Sequence, residues 1–115
     1  MNNRGKDAEA RAARYLETQG LTIIERNYHS RYGEIDLIAR DGATLVFVEV
    51  RARSSSAFGG AGASITASKR RKLTSTALHY LAHAGRTPQC RFDAVLLAGN
   101  NDSAPVEWIR GAFEA

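Results

Sequence analysis

Asp36, Glu49 and Arg51 are the side chains of this 115-residue chain best placed by type and spacing to do chemistry together. Asp36 stands in Gly33-Glu34-Ile35-Asp36-Leu37-Ile38-Ala39, Glu49 and Arg51 in Phe47-Val48-Glu49-Val50-Arg51, and an Asp41-Gly42 turn lies between them. Both segments read as strands of one hairpin, at positions where a purely structural strand would carry more Val or Ile. Burying a carboxylate there without a partner costs several kcal/mol, and a divalent cation is the simplest compensation. Oxygen ligands for a hard cation, a water polarised by it and positive charge nearby are together what phosphodiester hydrolysis requires.

Side chains alternate faces along a strand, so loop length decides whether the two carboxylates meet. A two-residue loop at Asp41-Gly42 places Asp36 opposite Phe47 with Glu49 one diagonal step away; a four-residue loop spanning Asp41 to Thr44 sets Asp36 directly across from Glu49. A three-residue loop sends them to opposite faces. On an even loop Glu34, Glu49, Arg51 and Arg53 share the face of Asp36. Ile35, Leu37, Val46, Val48 and Val50 line the other, giving one chemical face and one core face.

Around the hairpin, Ala8, Ala12, Tyr15, Leu16 and Gln19 recur at helical spacing and predict a helix over Lys6 to Gln19, ended by Gly20 as a left-handed cap. A strand follows from Leu21 to Tyr28. Ser54 to Ser64, rich in Ser, Gly and Ala, reads as one loop. A second helix is expected from Thr66 or Ala67 to His83, with Leu73, Ala77, Tyr80, Leu81 and Ala84 inward. Phe92 to Ala98 reads as a strand, Gly99 to Pro105 as a turn, and Val106 to Ile109 as a short edge strand. The chain is one domain, 1–115.

Cys90 is the lone cysteine, which excludes an intrachain disulfide and a Cys-x-x-Cys metal knuckle. No apolar run approaches the roughly 20 residues of a membrane span, and a cytoplasmic protein is expected. Net charge is +4, but from Val50 to Phe92 there is no Asp or Glu, while Arg51, Arg53, Lys69, Arg70, Arg71, Lys72, Arg86 and Arg91 all fall there. That asymmetry points to a polyanion, nucleic acid first; a solvated basic face is the alternative. Lys69 to Lys72 crowd the first turns of the second helix, against its dipole, where stability alone favours Glu. These cations would bind phosphates. Tyr28, His29, Arg31 and Tyr32 interleave rings with cations and could stack on unpaired bases, with sheet packing as the alternative. His79 and His83 have the spacing of a zinc pair without a third ligand and read as a solvated helix face. Trp108 and Phe113 read as core or interface, and Asp93 as a partner for Arg91 or a neighbouring strand.

An Asp, then Glu-Val-Arg on the next strand, resembles the PD-(D/E)xK, restriction-endonuclease-like nuclease superfamily, with Glu9 matching the additional acid of its Holliday-junction-resolvase branch. Glu9 also suits a helix N-terminus on electrostatic grounds alone. Over nearly its whole length the chain is similar to the YraN-type family of small bacterial proteins. The matching segments are Gly5, Glu9, Ala12-Ala13, Tyr15-Leu16, Glu25-Arg26-Asn27-Tyr28, the Gly33 to Ala39 and Phe47 to Arg51 blocks, Ile65-Thr66 with Lys69, and Arg91-Phe92-Asp93.

The resemblance implies an α/β fold with a restriction-endonuclease-like αβββαβ core, a central mixed sheet flanked by helices. It further implies Mg²⁺ or Mn²⁺ on Asp36, Glu49 and Glu9, with the Val50 carbonyl as a further ligand, and working homodimers among resolvase-like relatives. Where the superfamily has Lys, this chain has Arg51, which stays protonated and cannot act as a base. Either the metal activates water with Arg51 as an electrostatic clamp, or Lys69 reaches the same site. The expected function is metal-dependent cleavage of branched or non-canonical DNA, with Arg31, Arg53, Lys69, Arg70, Arg71 and Lys72 on the nucleic acid. The alternatives are a binding module that has lost cleavage and, more weakly, an adaptor docking a protein through Trp108 and Phe113.

Overall fold

The computed structural model describes residues 4–53, 66–85, 88–98 and 105–113, apart from the side chains of residues 4–6 and 53. The element order is α1 (Arg4–Thr18), β1 (Thr22–Ser30), β2 (Gly33–Asp41), β3 (Thr44–Arg53), α2 (Ala67–Ala84), β4 (Cys90–Ala98) and β5 (Val106–Phe113). The strands form one sheet in sequence order, antiparallel except for the parallel β3–β4 pair. This is the expected αβββαβ arrangement with β5 added at the edge. The expected loop from Ser54 to Ser64 and most of the expected Gly99 to Pro105 turn lie outside the described residues.

Alanines, the best helix formers, carry the inner side of α1. Ala8, Ala12, Ala13 and Leu16 are buried against Leu37, Ala39, Val46, Val48, Val95 and Leu97. Gln19, expected inward, is exposed because the helix stops before it. Gly20 at φ +97° donates to the Glu17 carbonyl at 3.1 Å, and Leu21 to Leu16 at 3.1 Å, a Schellman end that turns the chain into β1. Helix α2 starts at the N-cap Thr66, whose hydroxyl accepts from the Lys69 backbone N–H at 3.1 Å, and ends at Gly85 with φ +73°. Leu73, Thr76 and Ala77 are its buried residues, while Ala84, expected inward, is exposed at its last turn.

Both faces of the sheet are therefore core, which corrects the expectation of one chemical face. Helix α1 covers one face; α2 covers the other, over Ile35, Ile38, Leu45, Phe47, Phe92 and Ala94. Each large aliphatic side chain buried this way contributes about 1.5–3 kcal/mol. Ile35 and Ile38 share the α2 cluster while Leu37 and Ala39 belong to the α1 cluster. Strict alternation would have kept Ile35 with Leu37, so the pleat breaks at Asp36.

Candidate functional site

The hairpin turn is Gly42-Ala43, one residue later than the expected Asp41-Gly42, because Asp41 still pairs with Thr44 and it is Gly42 that takes the left-handed region at φ +61°. The even loop fixes the register in which Asp36 faces Glu49. The β2–β3 ladder runs from that turn to Leu37 and Val48 and stops one pair short of the two acids. Beyond it β3 continues along β4 alone, from Glu49 beside Ala94 to Arg53 beside Ala98. The Val50 N–H donates to Asp36 Oδ2 at 2.8 Å. A side-chain oxygen thus takes a strand donor where the ladder ends, which ties the break in the pleat to the position of the acid.

Three carboxyls stand in a row. Asp36 is within hydrogen-bonding reach of both Glu9, on α1, and Glu49, on β3. Burial pushes the Asp36 carboxyl up to about 7, the negative charges of Glu49 and Glu9 add to it, and the Val50 N–H opposes. Burial also raises Glu9, against hydrogen bonds from Asn27 and Asp36. At the far end Glu49, itself buried, meets the Lys69 ammonium through Oε2, and the Arg51 Nε stands 3.7 Å from the same oxygen.

The cap explains how Lys69 arrives there. As the third residue after Thr66 it holds the position where a capping box would carry Glu reaching back to the N-cap. Here the side chain is basic and reaches forward to Glu49 across the sheet.

Arg70, Arg71 and Lys72 are exposed on α2, and Arg31 is exposed at the β1–β2 turn, where its Nη2 donates to the Tyr32 hydroxyl at 2.9 Å. The Arg53 side chain lies outside the described residues. Glu34 is exposed beside His29, with Nδ1 to Oε2 at 3.3 Å. His79 is half-buried, not simply solvated: its Nδ1 shares a hydrogen bond of 2.6 Å with the Tyr28 hydroxyl. Its ring lies 4.4 Å from that of His83. Trp108 and Phe113 sit against the two cores. Buried Asp93 accepts from Arg91, Trp108 Nε1 and the Gly111 N–H, and so is a structural hub.

Asn27 escaped the sequence reasoning. It is the one non-glycine at positive φ (+53°) among the described residues, it stands opposite Asp36 in the β1–β2 register, and its side chain bonds Glu9. Asn tolerates the left-handed region better than most residues. That tolerance, inside a run otherwise suited to a strand, was the only available signal.

Among the described residues no three His, Cys, Asp or Glu side chains are grouped to hold one ion. Mg²⁺, however, is ordinarily held by one or two carboxylates, its other positions filled by water and phosphate oxygens. The hard oxygens of Asp36 and Glu49, close enough for the charge of Glu49 to add to what burial does to Asp36, fit such an ion. Among the described residues no helix is long and apolar enough to cross a membrane.

Fold and cluster define a mixed α/β domain in which a line of acids, closed by a lysine, occupies the point where two strands of the sheet part. The chain belongs to the uncharacterised protein family UPF0102, whose model matches residues 8–97; this is the YraN-type family expected from the sequence. It is similar to a UPF0102 protein of Nitrosomonas europaea, at 59% identity over 113 residues, covering 97% of this chain and 94% of the relative. A UPF0102 protein of Methylobacillus flagellatus is 57% identical over 115 residues, the whole of both chains. One of Dechloromonas aromatica is 58% identical over 113 residues, 97% of this chain and 89% of its own.

Proposed function

We propose that this protein binds nucleic acid and cleaves phosphodiesters in branched or otherwise non-canonical DNA, with Mg²⁺ or Mn²⁺ held by Asp36 and Glu49. The carrying observation is the meeting of Glu49, Asp36 and the Lys69 ammonium at the strand divergence. When bound, the cation supplies a polarised water and neutralises charge on the phosphate. Glu49 and Asp36 orient the site from rigid strands, and would offer carboxylate oxygens to the cation. Lys69 places a compact ammonium, with three hydrogen-bond donors, on Glu49 beside the planar guanidinium of Arg51. Arg51 and the exposed Arg70, Arg71 and Lys72 bind phosphate oxygens, contacts that position a strand without reading its sequence. Glu9 acts on Asp36 from behind, through the hydrogen bond between them.

A second reading is favoured by one observation: Arg51 stands where the superfamily has its lysine, and Lys69 already neutralises Glu49. On that reading the protein binds the same nucleic acids without cutting them.

The experiment is a Mn²⁺-supplemented assay on duplex, flapped, four-way and single-stranded DNA. An enzyme cuts at least one of these and loses cutting but not binding in Asp36→Asn and Glu49→Gln. A binding module gives salt-sensitive affinity and no products in any metal. Absence of both binding and cleavage contradicts both readings.

A further inference from the structure

A second cluster lies on the same side of the sheet, further along α2. Tyr32, in the β1–β2 turn, is 41% exposed, unusually open for an aromatic ring beside a helix. The Arg31 guanidinium lies 5.1 Å from its ring centroid and bonds its hydroxyl. The His79 ring meets it edge-on at 6.1 Å, and His79 is itself held by the Tyr28 hydroxyl at 2.6 Å. The turn is pressed against α2: a Cβ at Gly33 would come within 3.4 Å of Thr76 Oγ1 and 3.6 Å of Lys72 Cβ. Lys69, Lys72 and His79 therefore form one ridge along α2, beside the buried Thr76, that runs from Glu49 to Tyr32.

Two rulers give the length of that ridge. Ten helical residues from Lys69 to His79 span about 15 Å, and four strand residues from Tyr32 to Asp36 span about 13 Å. At about 3.4 Å per stacked nucleotide this is roughly four nucleotides, fewer when the strand is stretched. The exposed Lys72 stands midway.

Resting on the nucleic-acid reading above, we infer that Tyr32, braced by Arg31 and His79, is a stacking subsite for one unpaired base, a few nucleotides along the strand from the phosphate at Asp36 and Glu49. A ring accepts any base because every base has a π-face, so the subsite senses strandedness and not sequence. Continuous duplex keeps its bases paired and cannot use it. The subsite thus selects DNA with a single-stranded arm next to a junction.

The test is fluorescence anisotropy in Ca²⁺ with two probes, a blunt duplex and the same duplex bearing a single-stranded overhang, backed by 2-aminopurine placed at successive overhang positions. The expected result is that the overhang binds about tenfold more tightly than the blunt duplex. Tyr32→Ala should remove that preference without changing blunt-duplex affinity, Tyr32→Phe should keep it, and 2-aminopurine should be quenched at one position in the wild type only. Equal affinity of wild type and Tyr32→Ala for the overhang overturns the subsite while leaving nucleic-acid binding intact. Failure of the wild type to bind either probe at low salt overturns both.

Discussion

The Lys69 ammonium, carried on the first turn of α2, contacts Glu49 Oε2 in the interior of the sheet, and the Thr66 cap fixes the turn from which it reaches. Breaking a buried pair leaves a charge without compensation, here moderated because Lys69 is one-third exposed. Lys69→Ala should lower stability by about 1–3 kcal/mol. Added Mg²⁺ or Mn²⁺ should restore more of the melting temperature in this variant than it adds to the wild type, since the ion takes over the neutralisation of Glu49. Differential scanning fluorimetry with and without metal measures both effects.

Asp36 makes stability depend on pH. Its carboxyl is held up to about 7 in the folded protein against an ordinary value of 3.8. Between these values the folded state binds more protons than the unfolded chain, so stability falls as pH rises from about 4 to about 7 and levels off above. Asp36→Asn should flatten that slope and stabilise the metal-free protein at pH 8 by on the order of a few kcal/mol. Urea titrations across that range check it, and a divalent cation should stabilise the wild type more at pH 8 than at pH 5.

Asn27 offers a separation of strain from contact. At φ +53° an alanine pays for the left-handed backbone and also loses the bond to Glu9, whereas glycine loses only the bond. Asn27→Ala should therefore be less stable than Asn27→Gly by about 1 kcal/mol, while both weaken Mn²⁺ binding to a similar extent. Chemical denaturation and a metal titration of the two variants read the two effects independently.

Asp93 serves as the control. It is 1% exposed, and its oxygens are taken up by Arg91, Trp108 and Gly111. Asp93→Ala should cost about 3–5 kcal/mol of stability, as removal of one partner of a buried pair does. Asp93→Asn, which keeps the volume, should be milder and leave metal affinity unchanged. Thermal melts paired with a Mn²⁺ titration distinguish that outcome from a role in the site.

Much of this was legible from the residues. The sequence made the meeting of Asp36 and Glu49 conditional on an even loop, and the Gly42-Ala43 turn, with Asp41 paired to Thr44, meets that condition. The helices followed from apolar spacing and, for the first of them, from Gly20. What strict alternation could not give was the break at Asp36 that sends Ile35 to the α2 side, because it falls where the β2–β3 ladder stops. It also could not show that the face of Asp36 is a core in its own right, since α2 and its covering residues arrive from later in the chain. The contact of Lys69 with Glu49 was one of two open alternatives; spacing alone cannot aim a side chain across a sheet. Asn27 depends on a backbone angle, which leaves no periodic trace, whereas the pairing of Asp93 with Arg91 and with β5 was among the sequence expectations.

The most direct measurement is a calorimetric titration of Mn²⁺ into the wild type, Asp36→Asn and Glu49→Gln, each shown to be folded by circular dichroism. One ion per chain in the wild type, lost or strongly weakened in both variants, is the expected result. Wild-type binding of no ion, or binding undiminished in both variants, would contradict a divalent cation held between Asp36 and Glu49.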